Sequence, residues 1–90
     1  MIAVYIVTKN MTVDQHTKGR ERLRETGAPE SPMKLHSCFG EDGQLQVFDV
    51  WESQKAFDEF LTYLRPVMNE LGIELAQPPV IMPIVDLVQQ

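Results

Sequence analysis

The sequence predicts an α+β fold in the order β-α-β-β-α-β: a four-stranded antiparallel sheet with both helices on one face. Three observations predict it. Two apolar, β-branched runs lie near the ends of the 90-residue chain, IAVYIVT at 2–8 and VIMPIV at 80–85. Two extended runs in the middle are joined by Gly40-Glu41-Asp42-Gly43, and Asp-Gly between β-rich segments is a hairpin signal. The two intervening segments carry helix start and stop residues.

The first strand is apolar on both faces, as a strand covered on two sides must be. Residues 12–26 follow as a helix, with Thr12 as N-cap, Asp14 in the first turn and Gly27 just past the end. Its inward positions, Val13, His16, Arg20 and Leu23, are unusually polar, and Gly19 costs about 1 kcal/mol relative to alanine. Ala28–Pro32 is a linker with two prolines. The hairpin strands are Met33–Phe39 and Leu45–Trp51. With Glu41 and Asp42 at the turn centre, His36 faces Val47 and Lys34 faces Asp49; a one-residue slip changes both partners and faces. Ser53 caps a second helix whose stripe includes Phe57, Phe60, Leu64, Val67 and Leu71, and Gly72 ends it. Pro66 predicts a kink or break near Leu64–Arg65. Pro83 makes the last strand an edge strand or a locally irregular one. The order is the ferredoxin-like, split βαβ arrangement, with residues 1–90 as a single domain.

Composition narrows the function classes. Hydrophobic residues make up 43%, and a single cysteine excludes an internal disulfide or a thiolate zinc cage. Residues 1–45 carry six basic and six acidic side chains, whereas 46–90 carry two and seven, so the net charge of −5 lies in the second half. Such a chain is a poor nucleic-acid binder. Lys18, Arg20, Arg22 and Arg24, interrupted by Glu21 and Glu25, read as a solvated helix face. No apolar run is long enough to span a membrane. The opening MIAVYIVTKN has no basic stretch before its apolar run and no small-residue cleavage site after it, so a cytoplasmic protein is expected.

Two helices cover one face of a four-stranded sheet, yet both faces are apolar. Ile2, Val4 and Ile6 alternate with Ala3, Tyr5 and Val7; Ile81, Pro83 and Val85 alternate with Val80, Met82 and Ile84. Monomers rarely expose a patch of that kind, so a homodimer joined sheet to sheet is expected. The alternative is a monomer whose sheet is partly covered by the tail 77–90.

The passage Val50-Trp51-Glu52-Ser53-Gln54-Lys55-Ala56-Phe57 resembles the dimeric α/β-barrel superfamily, where a similar V-W-E-S…A-F run turns strand three into helix two. That superfamily includes antibiotic-biosynthesis-monooxygenase-like domains, heme-degrading monooxygenases and stress-responsive barrel proteins. Heme-degrading members use an Asn on the first strand, a Trp midway along helix two and a His farther along it. Here Phe60 stands where that Trp belongs, residues 53–71 contain no His, and the strand holds Val7, with Asn10 only later. Heme chemistry is therefore not carried over. The resemblance implies instead cofactor-independent monooxygenation, which relies largely on the substrate's own reactivity with oxygen, although the Asn/Trp pair usual for it is not evident here.

His36 is the leading candidate for acid/base work on a small enol or ketone, against a half-buried structural imidazole. Cys38 shares its face, about 6–7 Å along the strand, too far for direct proton transfer; no third orienting group is apparent, and buried packing is its expected role. His16 and Arg20, one helical turn apart, either orient an anionic or keto ligand with His36 or reach to solvent at the helix edge. Trp51, Phe60, Tyr63, Met68 and Tyr5 are candidates to line an apolar pocket, or simply core. The two histidines show no metal-ligand spacing, so neither metal nor cofactor is expected. The expected protein is a homodimer that binds a small organic molecule, as a cofactor-independent monooxygenase or isomerase of an aromatic or polyketide-like compound. The alternative is a non-catalytic ligand-binding or stress-associated structural dimer.

Overall fold

Capping chemistry sets the limits of both helices. In the computed structural model, which describes residues 1–89, the Thr12 hydroxyl accepts from the Gln15 backbone while the Gln15 side chain accepts from that of Thr12. This reciprocal pair satisfies two of the amides a helix start leaves free. Ser53 caps the second helix in the same position, and Gly27 and Gly72 close the two helices in the left-handed conformation at φ 76° and 72°. The elements are β1 (Ile2–Val7), α1 (Val13–Thr26), β2 (Met33–Glu41), β3 (Gln44–Trp51), α2 (Gln54–Leu71) and β4 (Val80–Pro83). The sheet is antiparallel in the order β2-β3-β1-β4, as the ferredoxin-like reading requires. Among the described residues no helix is long and apolar enough to cross a membrane.

Three details differ from expectation. The hairpin turn is Asp42-Gly43, because Glu41 pairs with Gln44 and Gly43 takes the positive φ of 96°. Met11 fixes this choice: its carbonyl accepts from the amides of Gly43 and Leu45, both at 3.1 Å, while Asp42 accepts from Val13 at 2.9 Å. Moving the turn by one residue moves each partner by two, so the faces are kept but the pairs change. His36 faces Asp49 rather than Val47, Cys38 faces Val47, and an irregularity between Met33 and Leu35 removes Lys34 from the ladder. Helix α2 runs unbroken through Pro66. Its apolar stripe on either side, with Phe57, Phe60 and Val67 buried, outweighs the one hydrogen bond proline cannot make. Strand β4 stops at Pro83, short of residue 85, and lies at the sheet edge where proline is tolerated.

The register sorts side chains into two faces. Toward the helices, His36, Asp49, Val4 and Ile81 form one row across the four strands, flanked by the Cys38-Val47-Ile6 row. On the open face run Leu35-Val50-Ala3-Met82 and Ser37-Phe48-Tyr5-Val80. Trp51 of β3 and Phe57 of α2 are fully buried where that helix meets the sheet, each removal of such a side chain from water being worth about 1.5–3 kcal/mol. The segment after β4 leaves Phe39 and Met82 of the open face exposed at 44% and 60%. Gln90, the last residue of the tail expected to cover that face, lies outside the described residues.

Candidate functional site

A cavity of about 90 Å³ lies between the sheet and the two helices. Its walls are mostly aliphatic, with Ile6, Leu23 and Val47 among them, and the polar groups concentrate where α1 crosses β2 and β3. There α1 supplies His16 and Arg20, β2 supplies His36 and β3 supplies Asp49.

Three of these side chains, His16, His36 and Asp49, form a chain of hydrogen bonds. His36 Nδ1 lies 2.6 Å from Asp49 Oδ1, and His36 Nε2 lies 3.1 Å from His16 Nε2. The two imidazole planes differ by 2° while their centres are 5.2 Å apart. Ring tips this much closer than ring centres, in parallel planes, describe a tip-to-tip hydrogen bond rather than a face-to-face stack. An ionised carboxylate only accepts, so His36 Nδ1 carries the proton in that bond. When both imidazoles are neutral, His36 Nε2 must accept, His16 Nε2–H donates, and the lone pair left over is on His16 Nδ1. Hydrogen-bond chemistry thus assigns the direction of donation, His16 to His36 to Asp49.

Burial gives the chain its electrostatics. Asp49 is only 5% exposed, in a row otherwise made of Val4, Ile81 and the His36 ring, so its charge depends on the His36 contact. His16 is held below the ordinary imidazole range, first by burial, then by the proximity of His36 and of Arg20, with Asp49 opposing. His16 is therefore the neutral, acceptor-competent member. Burial, and after it the Asp49 carboxylate, push the Cys38 thiol up, away from thiolate chemistry.

The expected site residues divide accordingly. His16, Arg20, His36, Phe60 and Met68 all line the cavity. Cys38, Trp51 and Tyr63 do not. Cys38 and Tyr63 pack, partly buried, against the core. Trp51 is sealed against Phe57 and Phe60 at ring-centre distances of 5.7 and 4.8 Å, and its indole N–H finds no acceptor among the described residues. Tyr5 points to the opposite face, where its hydroxyl donates to Gln46. Asn10 ties the chain after β1 to the end of α2, donating to the Gly72 carbonyl and accepting from the Glu74 amide, both at 2.9 Å. Among the basic residues of α1, Lys18 pairs with Asp14 and Arg22 with Glu25 and Glu70 on the exposed surface, as a solvated face should.

Asp49 is the polar cavity residue that sequence reasoning missed. Its signal was present: in Leu45-Val47-Asp49-Trp51 a carboxylate interrupts an inward row of apolar side chains. The misplaced turn assigned that carboxylate to Lys34.

The fold is ferredoxin-like α+β, with a cavity of about 90 Å³ between sheet and helices, and solved antibiotic biosynthesis monooxygenases share that fold. No family model matches the sequence, and no curated protein matches it. Among solved structures the chain is similar to SnoaB, a cofactor-independent oxygenase from Streptomyces nogalater, with a TM-score of 0.68 and 13% identity over 99% of this chain and 97% of that one. It is similar to protein YJCS, with a TM-score of 0.66 and 12% identity over 93% and 99%. An antibiotic biosynthesis monooxygenase superposes with a TM-score of 0.62 and 14% identity over 99% and 100%. At such identities the likeness is one of fold.

Proposed function

We propose that this protein binds a small, partly apolar organic molecule between sheet and helices and moves a proton on it, as a cofactor-independent oxygenase or isomerase of an aromatic or polyketide-like compound. The observation that carries this reading is the Asp49–His36–His16 chain ending in the wall of an apolar cavity. A substrate C–H beside a carbonyl would lose its proton to His16 Nδ1, leaving the electron pair on the enolate. The Nε2 proton of His16 then passes to His36 Nε2, and the positive charge rests on His36 against Asp49. Returning the proton to another carbon completes an isomerisation. In the oxygenase case O₂ adds to the enolate carbon, the hydroperoxide takes up the proton, and loss of water leaves a carbonyl, so that one CH₂ and one O₂ become one C=O and one H₂O. The likeness of fold to SnoaB, a cofactor-independent oxygenase, supports the second branch.

The cavity is smaller than the roughly 150 Å³ that accommodates benzene in an engineered core. It shares Ile6, Leu64, Met68, Ile73 and Leu75 with an open groove of about 760 Å³, so the bulk of a larger substrate has room outside. The test uses an enolisable bicyclic ketone such as 2-indanone, with hydrogen–deuterium exchange in D₂O followed by NMR. The native protein should accelerate exchange at the α-carbon, and His36→Gln should reduce that acceleration by about 10²–10⁴-fold. Exchange no faster than in buffer would overturn the reading, and O₂ consumption separates the two branches.

The same reading includes a homodimer. Among the described residues the open sheet face presents Leu35, Ala3, Phe48, Tyr5 and Val80 beside the polar Ser37 and Gln46, with Val50 of that face already buried within the chain. A second copy related by a two-fold axis covers such a self-complementary face.

A further inference from the structure

Arg20 is set apart from the other cations of α1. Lys18 and Arg22 are paired on the exposed surface, and Arg24 is exposed to solvent. Arg20 is half-buried, lines the cavity and makes neither an ion pair nor a side-chain hydrogen bond among the described residues. A guanidinium at an apolar wall is costly unless something acidic meets it. The one carboxylate of the cavity, Asp49, is already engaged by His36 at 2.6 Å. The cavity therefore offers a free forked cation one helical turn from His16, on the wall where the proton-transfer chain ends.

We propose that the ligand is a small organic acid, its carboxylate held by the Arg20 fork and its apolar body inside the cavity beside His16. This rests on the proton-transfer reading above and adds the substrate class. Placement supports it. The residues that the cavity shares with the groove come from β1, α2 and the segment after α2, and none comes from α1 or β2. The groove thus opens away from Arg20, and a ligand lies with its acidic end at the histidines and its remainder toward the groove. Bidentate Arg–carboxylate contact also fixes the angle at which the acid's α- or β-carbon faces His16. A bound carboxylate offsets Arg20's effect on His16, so binding favours proton uptake by that imidazole, whose other charged neighbours are His36 and Asp49.

Benzoate and its neutral analogue benzyl alcohol test this on the intact protein, read through the imidazole ¹⁵N signals of His16 and His36. Benzoate should shift both signals saturably, and His16 should titrate at higher pH with benzoate bound. Arg20→Gln should weaken benzoate about tenfold or more while leaving benzyl alcohol within about twofold, and Arg20→Lys should recover part of the loss. If Arg20→Gln does not fold, the native protein decides the matter: benzoate affinity must fall in about 1 M salt and benzyl alcohol affinity must not. Equal binding of the two probes, or benzoate binding indifferent to Arg20 and to salt, overturns the organic-acid assignment and leaves proton transfer standing. No response of either histidine to either probe overturns both.

Discussion

His36 shows how a single side chain changes meaning once its neighbours are known. From its strand position it is an acid/base candidate with no orienting partner. In the fold both its ring nitrogens are engaged, by Asp49 and by His16, so it is the interior member of a chain whose open end belongs to His16. His16 carries a consequence for stability. Its folded pKa lies below the ordinary 6.5, so the unfolded chain takes up this proton first as pH falls. The stability contributed by keeping His16 neutral is fully present above about 6.5 and is lost as pH falls from there through the folded value. Urea unfolding one pH unit above and one below 6.5 should show a loss of stability on acidification, and His16→Gln should make that loss smaller. An unchanged loss in the variant would remove His16 from the pH response.

At the scale of elements, Gly19 links stability to the site. It stands mid-helix in α1 and also lines the cavity, where α1 approaches α2. A Cβ added there would meet Leu71 Cδ1 at 3.7 Å, an ordinary contact. Gly19→Ala should therefore stabilise the protein by about 1 kcal/mol, raising Tm by about 4–8 °C in a domain of this size. The same methyl narrows the cavity, so benzoate or 2-indanone should bind more weakly to the more stable variant. Thermal melts and ligand titration on the same samples check both halves. Helix limits were legible in the sequence because caps are local: Thr12, Ser53, Gly27 and Gly72 act through hydrogen bonds and dihedrals within a few residues. The continuity of α2 through Pro66 was not, because it rests on packing against the sheet. The hairpin lies between these cases. Asp-Gly marked the turn, but contacts from Met11, some thirty residues earlier, set which pair forms it.

At the scale of the whole molecule, the open sheet face leads to the dimer. Sedimentation should show a species of twice 10.3 kDa at micromolar concentration, with a Tm that rises with protein concentration. Phe48→Glu, on the open face beside Tyr5, should shift the equilibrium toward monomer while leaving the His16–His36–Asp49 face intact. A monomer at all concentrations, with Phe48→Glu indistinguishable from the native protein, would defeat the dimer.

The sequence by itself determined the element order, the helix ends, the two-faced apolarity of the strands and His36, His16, Arg20, Phe60 and Met68 as candidate cavity residues. These follow from periodicity, capping and side-chain chemistry, which are properties of neighbours in the chain. Tertiary structure alone decided that Asp49 meets His36, that His36 meets His16, and that Cys38, Trp51 and Tyr63 stand outside the cavity. Those contacts join residues 13 and 20 positions apart, or separate residues that share a face, and depend on strand register and helix placement. A two-residue change of partner leaves every inside and outside assignment unchanged, so hydrophobic alternation could not distinguish Val47 from Asp49 opposite His36.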